Sequence, residues 1–231
     1  MKYISIATIN KALHRVHESR KQEHITGTPA SGLFQNYFPI NKYITTPEQI
    51  QEYSDKRPDF SVERLENDKL TPHLFVEIKS LVNSNFNEIM DQLFDTILKT
   101  VDAVPGSNYS VFIIAMKGTK IAFLEFHSFQ SLLDENGITN YRGFVPLSYR
   151  MEAESYFEIN RDWGMSNLIK YLKYRYELNI PFDKLKELGV EYTSKIPYPH
   201  IWNLLNKDHE NYIHEIFMHM ANNKAGKDIS D

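Results

Sequence analysis

"RPDFSVERLENDKLTPHLFVEIKS", residues 57–80, holds two short runs of strand-like alternation around a polar turn. Strands near 59–65 and 73–79, with "ENDKLTP" between them, make a hairpin that opens on Pro58–Asp59 and closes on Glu77–Ile78–Lys79. Side chains alternate across a strand, so Phe75, Glu77 and Lys79 share one face and Leu74, Val76 and Ile78 the other. The apolar face is expected to pack against the helix that follows. Hairpin geometry brings Asp59, at the start of the first strand, beside Lys79 at the end of the second. Two carboxylates and one lysine therefore converge. Paired carboxylates are hard oxygen ligands suited to Mg²⁺, which keeps several waters and takes its remaining ligands from phosphate. A lysine beside them can orient or deprotonate water, or stabilise charge developing on phosphorus.

The helix after the hairpin is the clearest in the chain. Phe86, Ile89, Met90, Leu93, Phe94, Ile97, Leu98 and Val101 recur at helical spacing over 84–101, and Asn85 with Glu88 resembles a capping box. "YSVFIIAM" (109–116) and "KIAFLEFH" (120–127) follow as a strand pair joined tightly at Lys117–Gly118. The first is almost wholly apolar, as expected of a central strand covered on both faces. Upstream, Ile9, Leu13 and Val16 predict an amphipathic helix over 6–24. The stretch 27–46, rich in Gly, Pro and aromatics without a period, reads as an ordered loop. Thr46 and Pro47 are expected to cap and start a short helix. Downstream of about 131 the texture changes. "SNLIKYLKYRYEL" (166–178), "FDKLKEL" (182–188) and "HIWNLLNKDHENYIHEIFMHMA" (200–221) read as helices, and the chain is expected to fray from Asn222. The expected class is α/β (α+β): a core over 1–130 and a mainly helical extension over 131–231 packed on it.

Pro58–Asp59 followed by Glu77–Ile78–Lys79 resembles the PD-(D/E)XK nuclease superfamily, the fold of restriction endonucleases. The order helix, strand hairpin, helix, strand pair matches that restriction-endonuclease-like core, and the resemblance covers roughly 5–130. Residues 109–127 also look like the strand pair after the long helix in nuclease domains of type I restriction subunits. The resemblance implies a Mg²⁺-dependent nuclease, with Mn²⁺ as a substitute, in which Asp59 and Glu77 bind the metal and Lys79 assists water attack. An acidic residue on the first helix often adds a ligand in that superfamily, and Glu18 is the best-placed candidate, with Glu23 its competitor. DNA is the expected substrate and RNA the alternative. A catalytically silent module of the same fold, binding nucleic acid or a protein, is the rival of a different class. Pairing of two copies as a homodimer stays open.

Composition narrows the field. The net charge of −4 supplies no chain-wide basic field, so a nucleic acid must be held by a local groove. Arg15, Arg20, Lys21, Lys56 and Arg57 are the candidates, because residues 1–60 carry eight Lys or Arg against six Asp or Glu. With no cysteine, neither disulfides nor a thiolate zinc site can form. The polar N-terminal region does not resemble a signal peptide, and no apolar run reaches the ~18 residues of a membrane span. An intracellular protein, cytoplasmic or at the nucleoid or nucleus and not secreted, is expected. His14 with Glu18, Gln92, and the basic aromatic run 170–176 read more simply as surface or core features. His214 and His219 are five apart, one too many for a zinc pair on one helical face.

Overall fold

The computed structural model describes residues 1–19, 23–47, 58–80, 89, 92–93, 110–134, 137–146, 191–192 and 200–225. It is a mixed α/β fold built on one sheet. A short 3₁₀ turn (Tyr3–Ser5) leads into helix α1 (Ala7–Ser19), then α2 (Glu23–Tyr37). The strands are β1 (Tyr43–Pro47), β2 (Phe60–Glu66), β3 (Lys69–Lys79), β4 (Ser110–Lys117), β5 (Lys120–Asp134), β6 (Gly137–Pro146), β7 (Glu191–Tyr192) and β8 (His200–Asn203). Helix α3 (Glu210–Asn222) closes the described chain. Strand order is β1-β2-β3-β4-β5-β8-β7, with β6 pairing the later part of β5. Among the described strands, β3 with β4 is the one parallel pair. The connection between these two passes through Ile89, Gln92 and Leu93, which are helical, as a parallel crossover requires. The rest of the helix expected over 84–101 lies outside the described residues.

The β2–β3 hairpin is tighter than its sequence suggests. Only Asn67 (φ 48°) and Asp68 (φ 60°) form the turn, and β3 already begins at Lys69. Two positive φ angles in succession are the signature of a type I′ turn, which asparagine and aspartate tolerate better than most residues. Val62 pairs with Leu74 but Glu63 with Pro72, so His73 is the extra residue of a bulge. The bulge turns His73 as well as Leu74 into the core.

That core has two halves, one on each face of the sheet. Leu74, Val76, Ile78, Phe112, Ile114, Met116, Ile121 and Phe123 pack with Leu13 of α1, Leu33 and Phe34 of α2, and Phe217 of α3. Phe75, Val111, Ile113, Ala115, Ala122, Leu124 and Phe126 pack with Ile89 and Leu93. β4 is covered on both faces, as expected. The helix carrying Ile89 and Leu93, however, packs on the Phe75 face, not on the Leu74–Val76–Ile78 face expected of it. That second face is taken by α1, α2 and α3.

Three further expectations need correction. Residues 27–37 are helix, not loop, although Pro29 lies inside α2. The helix survives because Ile25, Ala30, Leu33, Phe34 and Tyr37 are buried together with α1. A Cβ at Gly32 would meet Ile9 Cγ1 at 3.0 Å, so glycine is what lets the two helices approach. Thr46 and Pro47 end strand β1 at the sheet edge, where a residue without an N–H is tolerated, and start no helix there. Residues 200–203 form β8, and a helix begins only at Glu210. Asn203 Oδ1 accepts from Leu205 N–H (3.1 Å) and Asn206 Oδ1 from Asp208 N–H (2.9 Å), local bonds that compete with a continuous helix. The described part of 131–225 thus supplies strands β6, β7 and β8 to the sheet and α3 to the core. The expected helices at 166–178 and 182–188 lie outside the described residues. Among the described residues, no helix is long and apolar enough to cross a membrane.

Candidate metal and nuclease site

The antiparallel register pairs Phe60 with Val76 and Ser61 with Phe75, which sets Asp59 alongside Glu77 and Ile78. Asp59 Oδ2 accepts a hydrogen bond from the Ile78 N–H at 2.5 Å. Past the bulge the alternation is regular, so Glu77 and Lys79 share the Phe75 face, and the bond to Ile78 N–H holds Asp59, just before β2, beside them. Lys79 Nζ lies 2.8 Å from Glu77 Oε1. The carboxylates and the lysine, 18 and 20 positions apart from Asp59 in sequence, meet where β2 begins and β3 ends.

Burial here is deeper than a surface pair would show. Glu77 is 6% exposed, Pro58 and Ser80 are buried, and Lys79 is half-buried. A charged group so enclosed is tolerated only when paired. Glu77 is therefore not on an open polar face of the strand. It shares the face of β3 on which Phe75 packs with Ile89 and Leu93.

Would this donor set suit Mg²⁺? The bonds just described engage Oδ2 of Asp59 and Oε1 of Glu77. A carboxylate offers two oxygens and about four lone-pair sites, so such bonds and a cation can be held together. Mg²⁺ is commonly bound through one or two carboxylates plus substrate phosphates and water, so two acidic side chains suffice. The residues fit that chemistry. Among the described residues, no three His, Asp or Glu side chains gather as a metal-binding group. Glu18 is accordingly not brought to Asp59 and Glu77. It is exposed on α1, a helix that packs through Ile9 and Leu13 on the opposite face of the sheet.

Arg15 is exposed on that same helix. Arg20, Lys21, Lys56 and Arg57 lie outside the described residues, as do the side chain of Glu23 and the run 170–176. Gln92 is exposed. His214 and His219 serve different partners: His214 Nδ1 meets Tyr37 Oη at 2.8 Å, and His219 Nδ1 lies 3.2 Å from Asn223 Nδ2.

Two lysines escaped the sequence reading. Lys117 pairs with Lys79 across the parallel β3–β4 ladder, and Lys120 pairs with Lys117 across the β4–β5 hairpin. The tight turn between them was the available signal, because a two-residue loop forces its flanking residues to face each other. What no sequence pattern reveals is the parallel register that sets Lys117 beside Lys79.

Compared with known proteins, the chain matches no family model, no curated protein and no solved structure. The geometry of the site and the order of the elements are thus the ground for a functional reading.

Proposed function

We infer that the chain is a metal-dependent nuclease that hydrolyses nucleic-acid phosphodiester bonds, with DNA the favoured substrate, RNA the alternative and Mg²⁺ or Mn²⁺ the cofactor. The observation that carries this reading is the meeting of Asp59, Glu77 and Lys79 at the end of a hairpin. Helix, hairpin, helical crossover and strand pair in that order support a restriction-endonuclease-like core, with β1, α2 and the β6–β8 strands as additions to it.

In this reading Asp59 and Glu77 would hold the cation, which would supply a Lewis acid and lower the pKa of a water. The Ile78 N–H orients the Asp59 carboxylate, and the ion pair with Glu77 aims Lys79 at the space in front of the acidic pair. Lys79 then orients the attacking water or stabilises charge gathering on the phosphoryl oxygens. The water oxygen would give up a proton to solvent and bond to phosphorus as the bond to the leaving sugar oxygen breaks, and that oxygen would take a proton from solvent.

One observation favours a second reading. Both carboxylates already have protein partners, so the same residues can serve as a clasp in a silent module that binds nucleic acid or protein. A single assay separates the two: single- and double-stranded DNA and RNA incubated with Mg²⁺, Mn²⁺ or EDTA. The nuclease should cut with either metal and not with EDTA. Glu77→Gln keeps the side-chain volume, removes the charge and should cost more than the roughly 10–100-fold of losing an outer-shell partner. Asp59→Asn should weaken metal dependence and rate together. Lys79→Ala should slow cleavage while leaving the metal concentration for half-maximal rate in place. If the unaltered protein cuts and Glu77→Gln cuts equally well, the site lies elsewhere. No cleavage of any substrate under any metal rejects the nuclease.

A further inference from the structure

We propose that Lys117 and Lys120 extend the lysine of the candidate site into a three-lysine track that grips the phosphates of a nucleic-acid strand and leads it to Asp59 and Glu77. The track's destination rests on the nuclease reading; its grip on phosphate is tested separately.

Register sets the row. Lys79 pairs with Lys117, Lys117 with Lys120, and Lys120 with Asn203, so the four residues cross β3, β4, β5 and β8 in one line. Directly opposed residues share a face. Ala115 and Ala122, two positions inward from Lys117 and Lys120, belong to the Phe75 half of the core. The three lysines therefore lie on the face that carries Glu77. All three are half-buried.

The row is also held in place. Gly118 N–H donates to the Lys79 carbonyl at 3.0 Å, and Leu204 N–H donates to the Thr119 carbonyl at 2.8 Å. The turn of the β4–β5 hairpin is thereby tied to β3 on one side and to the end of β8 on the other. Positive φ at Gly118 (58°) makes that two-residue connection possible.

Charge supplies the second argument. Like charges directly opposite in an antiparallel pair are destabilising. Lys117 and Lys120 are such a pair, and among the described residues Lys117 has no ion-pair partner, while Lys79 is held by Glu77. A phosphate at Lys117 supplies the counter-charge there. Adjacent strands stand about 4.8 Å apart, so the row spans roughly 10 Å. That is about three axial rises of one strand at about 3.4 Å each, a length that takes in about four successive phosphates. A polyanion with evenly spaced charges fits such a row, and its end carries the acidic pair.

The test measures binding apart from cutting. Short fluorescent single- and double-stranded DNA and single-stranded RNA are titrated in EDTA across a range of salt, with cleavage in Mg²⁺ followed in parallel. Lys117→Gln with Lys120→Gln should weaken binding roughly tenfold or more and flatten the log–log salt slope by about 1.8 on duplex or 1.4 on single strands. Lys117→Arg with Lys120→Arg should keep both. Lys69→Gln, at the far end of β3, should change neither. Thermal melts show whether each variant folds, and the arginine pair answers for a glutamine pair that does not. Unchanged affinity and slope in the glutamine pair overturn the track even if the protein cuts. Loss of binding in the glutamine pair without any cutting by the unaltered protein upholds the track and sinks the nuclease. Failure of the unaltered protein to bind any of the three probes overturns the track outright.

Discussion

On one face of the sheet His73, Tyr43 and Arg64 direct their polar atoms at the end of helix α3; on the other, Asp59 and Glu77 direct theirs at Ile78 and Lys79. The first arrangement completes a fold. A helix leaves its last four carbonyls without partners inside the helix. Here His219 O receives Asn223 N–H (3.0 Å), Met220 O receives His73 Nε2–H (2.8 Å) and Ala221 O receives the Tyr43 hydroxyl (2.6 Å). Arg64 Nη1 reaches two residues further, to Asn223 O (3.1 Å), and Lys224 pairs with Glu66 beside it. Arg64 Nε and Glu66 Oε1 stand 3.1 Å apart as an ion pair, though off the line of a hydrogen bond. Neutral groups and backbone carbonyls dominate. The second arrangement buries the Glu77 carboxylate beside half-buried Asp59 and Lys79 at the end of a strand, where neutral side chains of the same size would pack at least as well. Asp59 satisfies a backbone group too, the Ile78 N–H, so the contrast rests on the Glu77–Lys79 pair, which joins two side chains of one strand.

The contrast breaks if the α3 face proves dispensable. Phe217 is fully buried, stacks on Tyr37 (4.4 Å, 3°) and meets Phe123 edge-on at 5.2 Å. Phe217→Ala should cost about 3–5 kcal/mol, the range for emptying a buried aromatic site. Urea unfolding followed by circular dichroism measures it. Glu77→Gln opens no cavity but takes the ion pair from Lys79, which keeps partial access to water, so it should cost less than Phe217→Ala in the same titration. Equal losses would mean that the acidic cluster is structural cement like the rest of the core.

How much of this was legible in the sequence depended on whether one side chain pattern answered to one environment. β4 was legible because Val111 to Met116 are apolar on both faces and both faces are buried. The hairpin was legible from its alternation, and with it the meeting of Asp59, Glu77 and Lys79. Which helix covered which face was not, because Phe75 belongs to one core half and Leu74, Val76 and Ile78 to the other. Apolar residues on both sides leave the partner undetermined. α2 was hidden because packing against α1 and α3 buries it on several sides, which erases the period, and because Gly27, Pro29 and Gly32 speak against a helix locally. Tertiary burial overrode propensity there. β8 was hidden by brevity: four residues cannot display a period. Lys117 and Lys120 needed the β3–β4 register, which follows from a crossover and leaves no mark in the sequence.

His73 sharpens the comparison through pH. Burial lowers its pKa from 6.5 to about 4, opposed by the bond to the Met220 carbonyl. The folded protein therefore holds a neutral imidazole where the unfolded chain protonates at the ordinary value. Stability from this group is complete above about pH 6.5 and is lost as pH falls toward 4, by about 3 kcal/mol in all. Melting temperature should decline over that window. In His73→Gln, whose amide can still donate to Met220 O, this part of the decline should vanish. An unchanged pH profile in the variant would mean that His73 is not the group responsible.

The smallest effect separates a cap from a packing contact at the same place. Tyr43 is 2% exposed, its ring lies 5.3 Å from Phe38 and 5.1 Å from His73, and its hydroxyl reaches the Ala221 carbonyl. Tyr43→Phe keeps the ring and removes only the donor. A hydrogen bond is worth about 1 kcal/mol net, and a buried carbonyl left without a partner costs about 1–3. The carbonyl belongs to the final turn of α3, where fraying lets water replace the lost donor, so the expected loss is about 1 kcal/mol. Amide hydrogen exchange gives the sharper reading, because the loss should concentrate in the last turn of α3 and leave β4 protected as before. A loss spread evenly through the sheet would instead mean that the hydroxyl supports the whole core, and the α3 terminus would no longer be a separately capped element.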